Sequence, residues 1–87
     1  MKSFQIRIVT PEKKVWEGDS ISVVAPMLDG YLGIWANHAP LLGALGKGKL
    51  QIKISDFQEI CYDIQGGFLE VLKNQVTLLA DQATLIS

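Results

Sequence analysis

KLQIKISDFQEICYDI, residues Lys49 to Ile64, is the stretch that decides the fold. In its first half Leu50, Ile52 and Ile54 alternate with Lys49, Gln51 and Lys53; in its second, Ile60, Tyr62 and Ile64 share a side opposite Glu59, Cys61 and Asp63. Alternate side chains of an extended chain point to the same side, so each half offers one apolar and one polar face, the mark of a half-buried strand. Ser55-Asp56 between them makes a tight turn, and the two halves read as a hairpin.

The same pattern extends in both directions. Downstream, Gly66-Gly67 admits a sharp corner or bulge, FLEVL follows as a strand, Lys73-Asn74 turns the chain, and Val76 to Ala80 completes a second hairpin, giving a meander. Asp81 to Ser87 reads equally as a short edge strand or a frayed end. Upstream, Phe4, Ile6 and Ile8 alternate with Gln5 and Arg7, and Thr10-Pro11-Glu12 turns that strand back. Lys14 to Glu17 is extended, Gly18-Asp19 breaks it, and the β-branched run Ser20 to Ala25 is closed by Pro26. Gly46 and Gly48 are expected to frame a loop before the central hairpin.

Between Pro26 and that loop lies DGYLGIWANHAPLLGAL, Asp29 to Leu45. Its Gly, Asn and Pro content predicts a loop or a short irregular strand, yet it also carries Leu32, Ile34, Trp35, Leu41, Leu42 and Leu45. Such a segment either folds back into the core or offers an adhesive surface to another protein.

No window carries a capped 3.6-residue apolar period, and short strands recur about every ten residues, so the domain is expected to be all-β. Two packed sheets, as a flattened sandwich or a barrel, bury that many alternating faces economically. Eighty-seven residues suit one domain with a small core, and 48% hydrophobic against 20% charged residues places the chain among ordered globular sequences. A net charge of −1 with scattered lysines argues against nucleic acid as a partner. The apolar runs are too short to span a membrane, so membrane association is expected only through another protein. Cys61 is the only cysteine, which leaves it no intramolecular disulfide partner and suits a reducing compartment.

Chemistry-bearing groups are sparse. His38 is the obvious candidate base, but ANHAPLL supplies no nucleophile, and a loop histidine bound to backbone or packed at an interface is the simpler reading. One His and one Cys fall short of a zinc site, and Asp29 alone makes no calcium loop, so no metal and no cofactor are expected. Gly46-Lys47-Gly48-Lys49 lacks the spacing of a phosphate loop and leads into no helix. Trp16 belongs to a strand and the core or its rim, whereas Tyr31 and Trp35 are rigid aromatic rings of the kind that anchor protein interfaces.

The segments VTPEKKVWEG (9–18), SVVAP (22–26), DGYLGIWANHAPLL (29–42), QGGFLEV (65–71) and VTLLAD (76–81) together resemble, in order and spacing, the N-terminal domain of the epsilon subunit of the F-type ATP synthase. The resemblance covers nearly the whole chain. It implies a single flattened β-sandwich of about ten strands over residues 1–87. It further implies a non-catalytic subunit at the foot of the rotating central stalk, coupling rotation of the c-ring, driven by H⁺ or Na⁺, through the gamma subunit to ATP synthesis.

By the same resemblance Thr10, His38, Leu42 and Gly43 fall on the side that faces gamma, and Tyr31 falls where the domain meets the c-ring loops. Two departures stand out. The family usually carries an acidic residue at the position of Tyr31, so stacking or hydrogen bonding is expected to replace charge there; Gly43 often corresponds to Thr, which leaves only backbone to contribute. The family's C-terminal helical hairpin, used to restrain ATP hydrolysis, has no counterpart in these 87 residues, and a subunit that couples without inhibiting by that route is expected. The implied location is peripheral, on the cytoplasmic face of a bacterial plasma membrane or the stromal face of a thylakoid. The rival readings are a free-standing small-ligand-binding β-sandwich with Tyr31 and Trp35 as a stacking platform, and a small enzyme using His38.

Overall fold

The computed structural model describes residues 2–87, and these contain seven strands and no helix. They are β1 (Phe4–Val9), β2 (Lys14–Ser20), β3 (Ser22–Met27), β4 (Gly30–Trp35), β5 (Leu41–Ser55), β6 (Gln58–Leu72) and β7 (Gln75–Leu85), hydrogen-bonded in the order β2-β1-β7-β6-β5-β3-β4. Seven continuous strands replace the ten expected, and the reason is a corner. At one level of the sheet Leu45 pairs with Gly67 and Lys47 with Gln65, while Gly46 and Gly66 between them drop out of the ladder, as does Asp81 of β7.

Inward-facing positions change parity at that corner. In β6 they are Tyr62 and Ile64 before it and Leu69 and Val71 after it; in β5, Leu45 before and Leu50 and Ile52 after; in β7, Val76, Leu78 and Ala80 give way to partly buried Ala83. Gly66 and Gly67 of β6 take φ of 68° and 116°, a region costly for residues with a Cβ. A side chain on Gly67 would also drive into the Leu79 carbonyl. Three strands thus cross from one layer of a sandwich to the other, and counting each as two restores ten.

The first layer holds β2, β1, residues 75–80, residues 67–72 and residues 41–45; the second holds β4, β3, residues 47–55, residues 58–65 and residues 82–85. Phe4, Ile6, Ile8, Leu69, Val71, Val76 and Leu78 from the first meet Val23, Ala25, Ile34, Leu50, Ile52, Tyr62 and Ile64 from the second in one core. Fully buried Ser20 joins the layers: its hydroxyl lies 2.8 Å from the Ser22 carbonyl and 3.1 Å from that of Lys53. The Ile21 N–H donates to the same Lys53 carbonyl at 2.9 Å.

Several local expectations are corrected. Most of Asp29–Leu45 is strand, not loop: Leu32 and Ile34 face inward against Ala25 and Val23, and only residues 36–40 link β4 to β5. Gly46 and Gly48 lie within β5, and Gly18-Asp19 lies within β2, where the Trp16 ring covers the bare face of Gly18 and Asp19 accepts from Gln5 Nε2 at 2.9 Å. Pro26 does not end β3, because the β3–β5 register shifts between Val24 and Met27 and its missing N–H falls in that gap. The 81–87 segment continues β7 to Leu85, paired with Tyr62.

Candidate functional site

Alternation that sends Leu69, Val71, Leu78 and Ala80 inward must send Phe68 and Leu79 outward. On the first layer's outer face Ala44, Phe68, Leu79 and Val9 are successive cross-strand neighbours, and Leu42, Glu70, Thr77 and Arg7 form the next row. Phe68 remains 58% exposed, Leu79 54% and Leu42 72%, so an apolar strip runs across the layer with no covering element among the described residues. Contiguous apolar surface of this sort on a small domain marks an interaction site. A shallow depression of about 340 Å³ extends the strip to Thr10 and Pro11.

The turn at that end is held by Thr10, whose N–H donates to the Lys13 carbonyl at 2.9 Å and whose hydroxyl lies 3.3 Å from the same oxygen. Beside it Glu17 bridges Lys14 at 2.8 Å and Arg7 at 3.5 Å. The hydrogen bond and charge of Lys14, followed by the charge of Arg7, lower the Glu17 carboxyl below its ordinary 4.5. The strip therefore has a charged border on the β2 side.

His38 sits at the other end of this layer, in the 36–40 link. That link is fastened to the β6–β7 turn by an amide pair: the Asn37 N–H donates to Asn74 Oδ1 at 2.6 Å, and Asn74 Nδ2 donates to Asn37 Oδ1 at 3.1 Å. The Asn74 carbonyl accepts from the Gln5 N–H at 3.0 Å, which ties the turn to β1. Half-buried His38 places Nδ1 2.7 Å from the Ala39 carbonyl, which can only accept, so Nδ1 is the donor in this contact. Among the described residues no cluster of three or more His, Cys, Asp or Glu is placed to hold a metal. Cys61 is buried, with its sulfur 3.6 Å from Glu59 Oε1.

Tyr31 belongs to the opposite layer. It projects outward from β4 against its cross-strand partner Pro26, and its hydroxyl accepts the Lys49 N–H at 3.1 Å. Trp35, on the same side of β4, lies across Gly33. Thr10 and Leu42 thus share the first layer's outer face, His38 stands at its end, and Tyr31 is on the second layer. Gly43 faces inward toward the Met27 methyl, not outward with Leu42. Tyr31, Leu42 and Gly43 nevertheless border one cleft at the sheet corner. Sequence reasoning passed over Phe68 and Leu79, though adjacent apolar pairs inside strands, Phe68-Leu69 and Leu78-Leu79, signal that one member of each must face out.

Residues 3–86 match the family described as ATP synthase, Delta/Epsilon chain, beta-sandwich domain. The ATP synthase epsilon chain of Chlorobium limicola is 45% identical over 83 residues, covering 95% of this chain and 94% of that one. The sodium ion specific ATP synthase epsilon chain of Propionigenium modestum is 39% identical over 83 residues, which are 60% of its length. The chain therefore spans nearly all of one relative and little more than half of the other. In three dimensions it resembles a chain of the Euglena gracilis mitochondrial ATP synthase (OSCP/F1/c-ring) with a TM-score of 0.88 at 18% identity, covering 95% of this chain and 53% of that one. A chain of the Tetrahymena thermophila mitochondrial ATP synthase central stalk and c-ring gives 0.78 at 18% identity, covering 94% and 66%.

Proposed function

The chain belongs to the ATP synthase Delta/Epsilon chain β-sandwich family, and from that premise we propose that it is a non-catalytic central-stalk subunit coupling c-ring rotation through gamma to ATP synthesis. The observation that carries this reading is the exposed strip of Leu42, Phe68 and Leu79 on a sandwich whose relatives are named ATP synthase epsilon chains. Gamma covers the strip, with Thr10 at one end, His38 at the other, and the backbone of Gly43 beneath Leu42. The c-ring loops meet the second layer near Tyr31, whose ring, held by the Lys49 N–H, offers stacking and a hydroxyl in place of charge.

A torque-bearing adaptor needs stiffness more than chemistry. Strands that run unbroken from one layer into the other supply it, since a load on either layer is carried by covalent chain as well as by packing. The sandwich sits peripherally, attached through the complex to the cytoplasmic face of a bacterial plasma membrane, or to the stromal face of a thylakoid.

The test is affinity capture from detergent-solubilised membranes of the source cell with tagged chain. Gamma and the c-ring should be recovered together, and capture of neither would refute the reading.

A further inference from the structure

β4 ends the strand order and, among the described residues, is hydrogen-bonded on one side only, to β3. Sheet edges are normally guarded by charge, proline or a bulge, because unpaired backbone N–H and C=O groups invite another strand. β2, at the far end of the order, carries Lys14, Glu17 and Asp19. The uncharged 41–45 edge of β5 is capped by the Leu28 N–H, which donates to the Ala44 carbonyl at 2.9 Å. β4, GYLGIW, has no charge, no proline and no register shift against β3. We infer that this edge pairs with β4 of a second copy of the chain, antiparallel about a two-fold axis at Gly33, with the Trp35 indoles of the two copies side by side.

The order of residues along the edge makes it self-complementary. A two-fold dimer uses the same patch on both members, so each residue must suit the one that symmetry sets against it. With the axis at Gly33, inward Leu32 of one copy lies opposite inward Ile34 of the other, and outward Tyr31 lies opposite outward Trp35. Asp29, the charge next to the strand, falls opposite Asn37 and not opposite itself. An axis at Leu32 would instead set Asp29 against Trp35.

The outward side chains already stand as such pairing requires. The Trp35 ring lies along its own strand over Gly33, whose missing side chain leaves the room: a Cβ there would stand 2.8 Å from two ring carbons. At the axis the paired strands, and with them the two indoles, come about 4.8 Å apart, within the roughly 4.5–7 Å over which aromatic rings attract. Tyr31 is no obstacle, because its hydroxyl accepts the Lys49 N–H at 3.1 Å and so draws the ring back across β3, away from the edge.

Area sets the strength. A Trp side chain of about 250 Å² that is 62% exposed leaves roughly 150 Å² to cover, so the two indoles offer about 300 Å². Even with the backbone of a six-residue edge, this stays below the ~1,200 Å² of a stable complex. The dimer is therefore weak and reversible, with a Kd on the order of 100 μM, and belongs to the concentrated free chain.

The experiment is sedimentation equilibrium of the purified chain from about 10 μM to about 1 mM, with hydrogen exchange followed at both ends of that range. Monomer should give way to dimer, and at high concentration exchange should slow in β4 and stay unchanged in β2. Trp35→Lys removes the indole and sets like charges beside the axis, so it should dimerise at least about tenfold more weakly, with a thermal melt confirming that it is folded. A chain still monomeric at the highest concentration would overturn the inference. So would a dimer protected at β2 or at the Leu42, Phe68 and Leu79 strip but not at β4, or a folded Trp35→Lys that dimerises like the parent. These measurements need no gamma and no c-ring, so their failure leaves the rotor reading standing, and failure of the capture test leaves the dimer standing.

Discussion

Phe68→Ala removes a large, mostly exposed side chain from the strip and so tests the interface at limited cost to stability. A Phe side chain offers roughly 200 Å² of apolar surface, and with 58% of the residue exposed, on the order of 115 Å² is left for a partner to cover. At ~25 cal/mol per Å² that surface is worth at most about 3 kcal/mol on docking, or a roughly 100-fold change in Kd. The part already packed on the domain is smaller and its loss costs at most about 2 kcal/mol, within the reserve of a domain stable by 5–15 kcal/mol. The assay is a pair of measurements on one preparation: a denaturant melt, and a titration of gamma followed by tryptophan fluorescence or calorimetry. A folded Phe68→Ala chain that binds gamma with unchanged affinity would refute the assignment of the strip.

Three further outcomes are expected. Gly67→Ala should destabilise the sandwich by more than about 3 kcal/mol or prevent folding, since it combines a positive φ with a collision at the Leu79 carbonyl; a thermal melt compared with Gly30→Ala, where φ is also positive but the space is open, isolates the collision. Asn74→Gly keeps the left-handed turn but removes the amide pair with Asn37, so hydrogen exchange should quicken in residues 36–40 and leave the core strands unchanged. Glu17 has a lowered carboxyl pKa in the folded chain, so its contribution to stability is present above the ordinary 4.5 and is lost as pH falls through the folded value. Glu17→Gln should remove that component of acid sensitivity, read as a smaller drop in melting temperature below pH 4.5 than the parent shows.

The alternating strands were legible because period-2 burial is a local property: Phe4, Ile6 and Ile8, or Leu50 and Ile52, need only one buried side to be read correctly. Family membership was equally legible, because it rests on the order of residues in the chain. For Gly30–Trp35 the sequence left loop and short strand open although Leu32 and Ile34 alternate there, since Gly30 and Gly33 carry turn propensity and only the overlying Trp35 ring shows why Gly33 suits a strand. The glycines at 46, 48, 66 and 67 announced irregularity. Whether that meant loops or one corner depended on where they meet across strands.

What the amino-acid order determined by itself is the all-β class, the core positions of the cleanly alternating runs (Phe4, Ile6, Ile8, Leu50, Ile52, Tyr62 and Ile64), the meander of the C-terminal half and the family. Only the folded chain decided that β1 lies parallel to β7, that three strands serve both layers, and that Leu42, Phe68 and Leu79, from three different strands, lie side by side. The division has one cause. Alternation is written between neighbours a few ångströms apart along the chain, whereas a surface strip is written by register between strands that are distant in sequence.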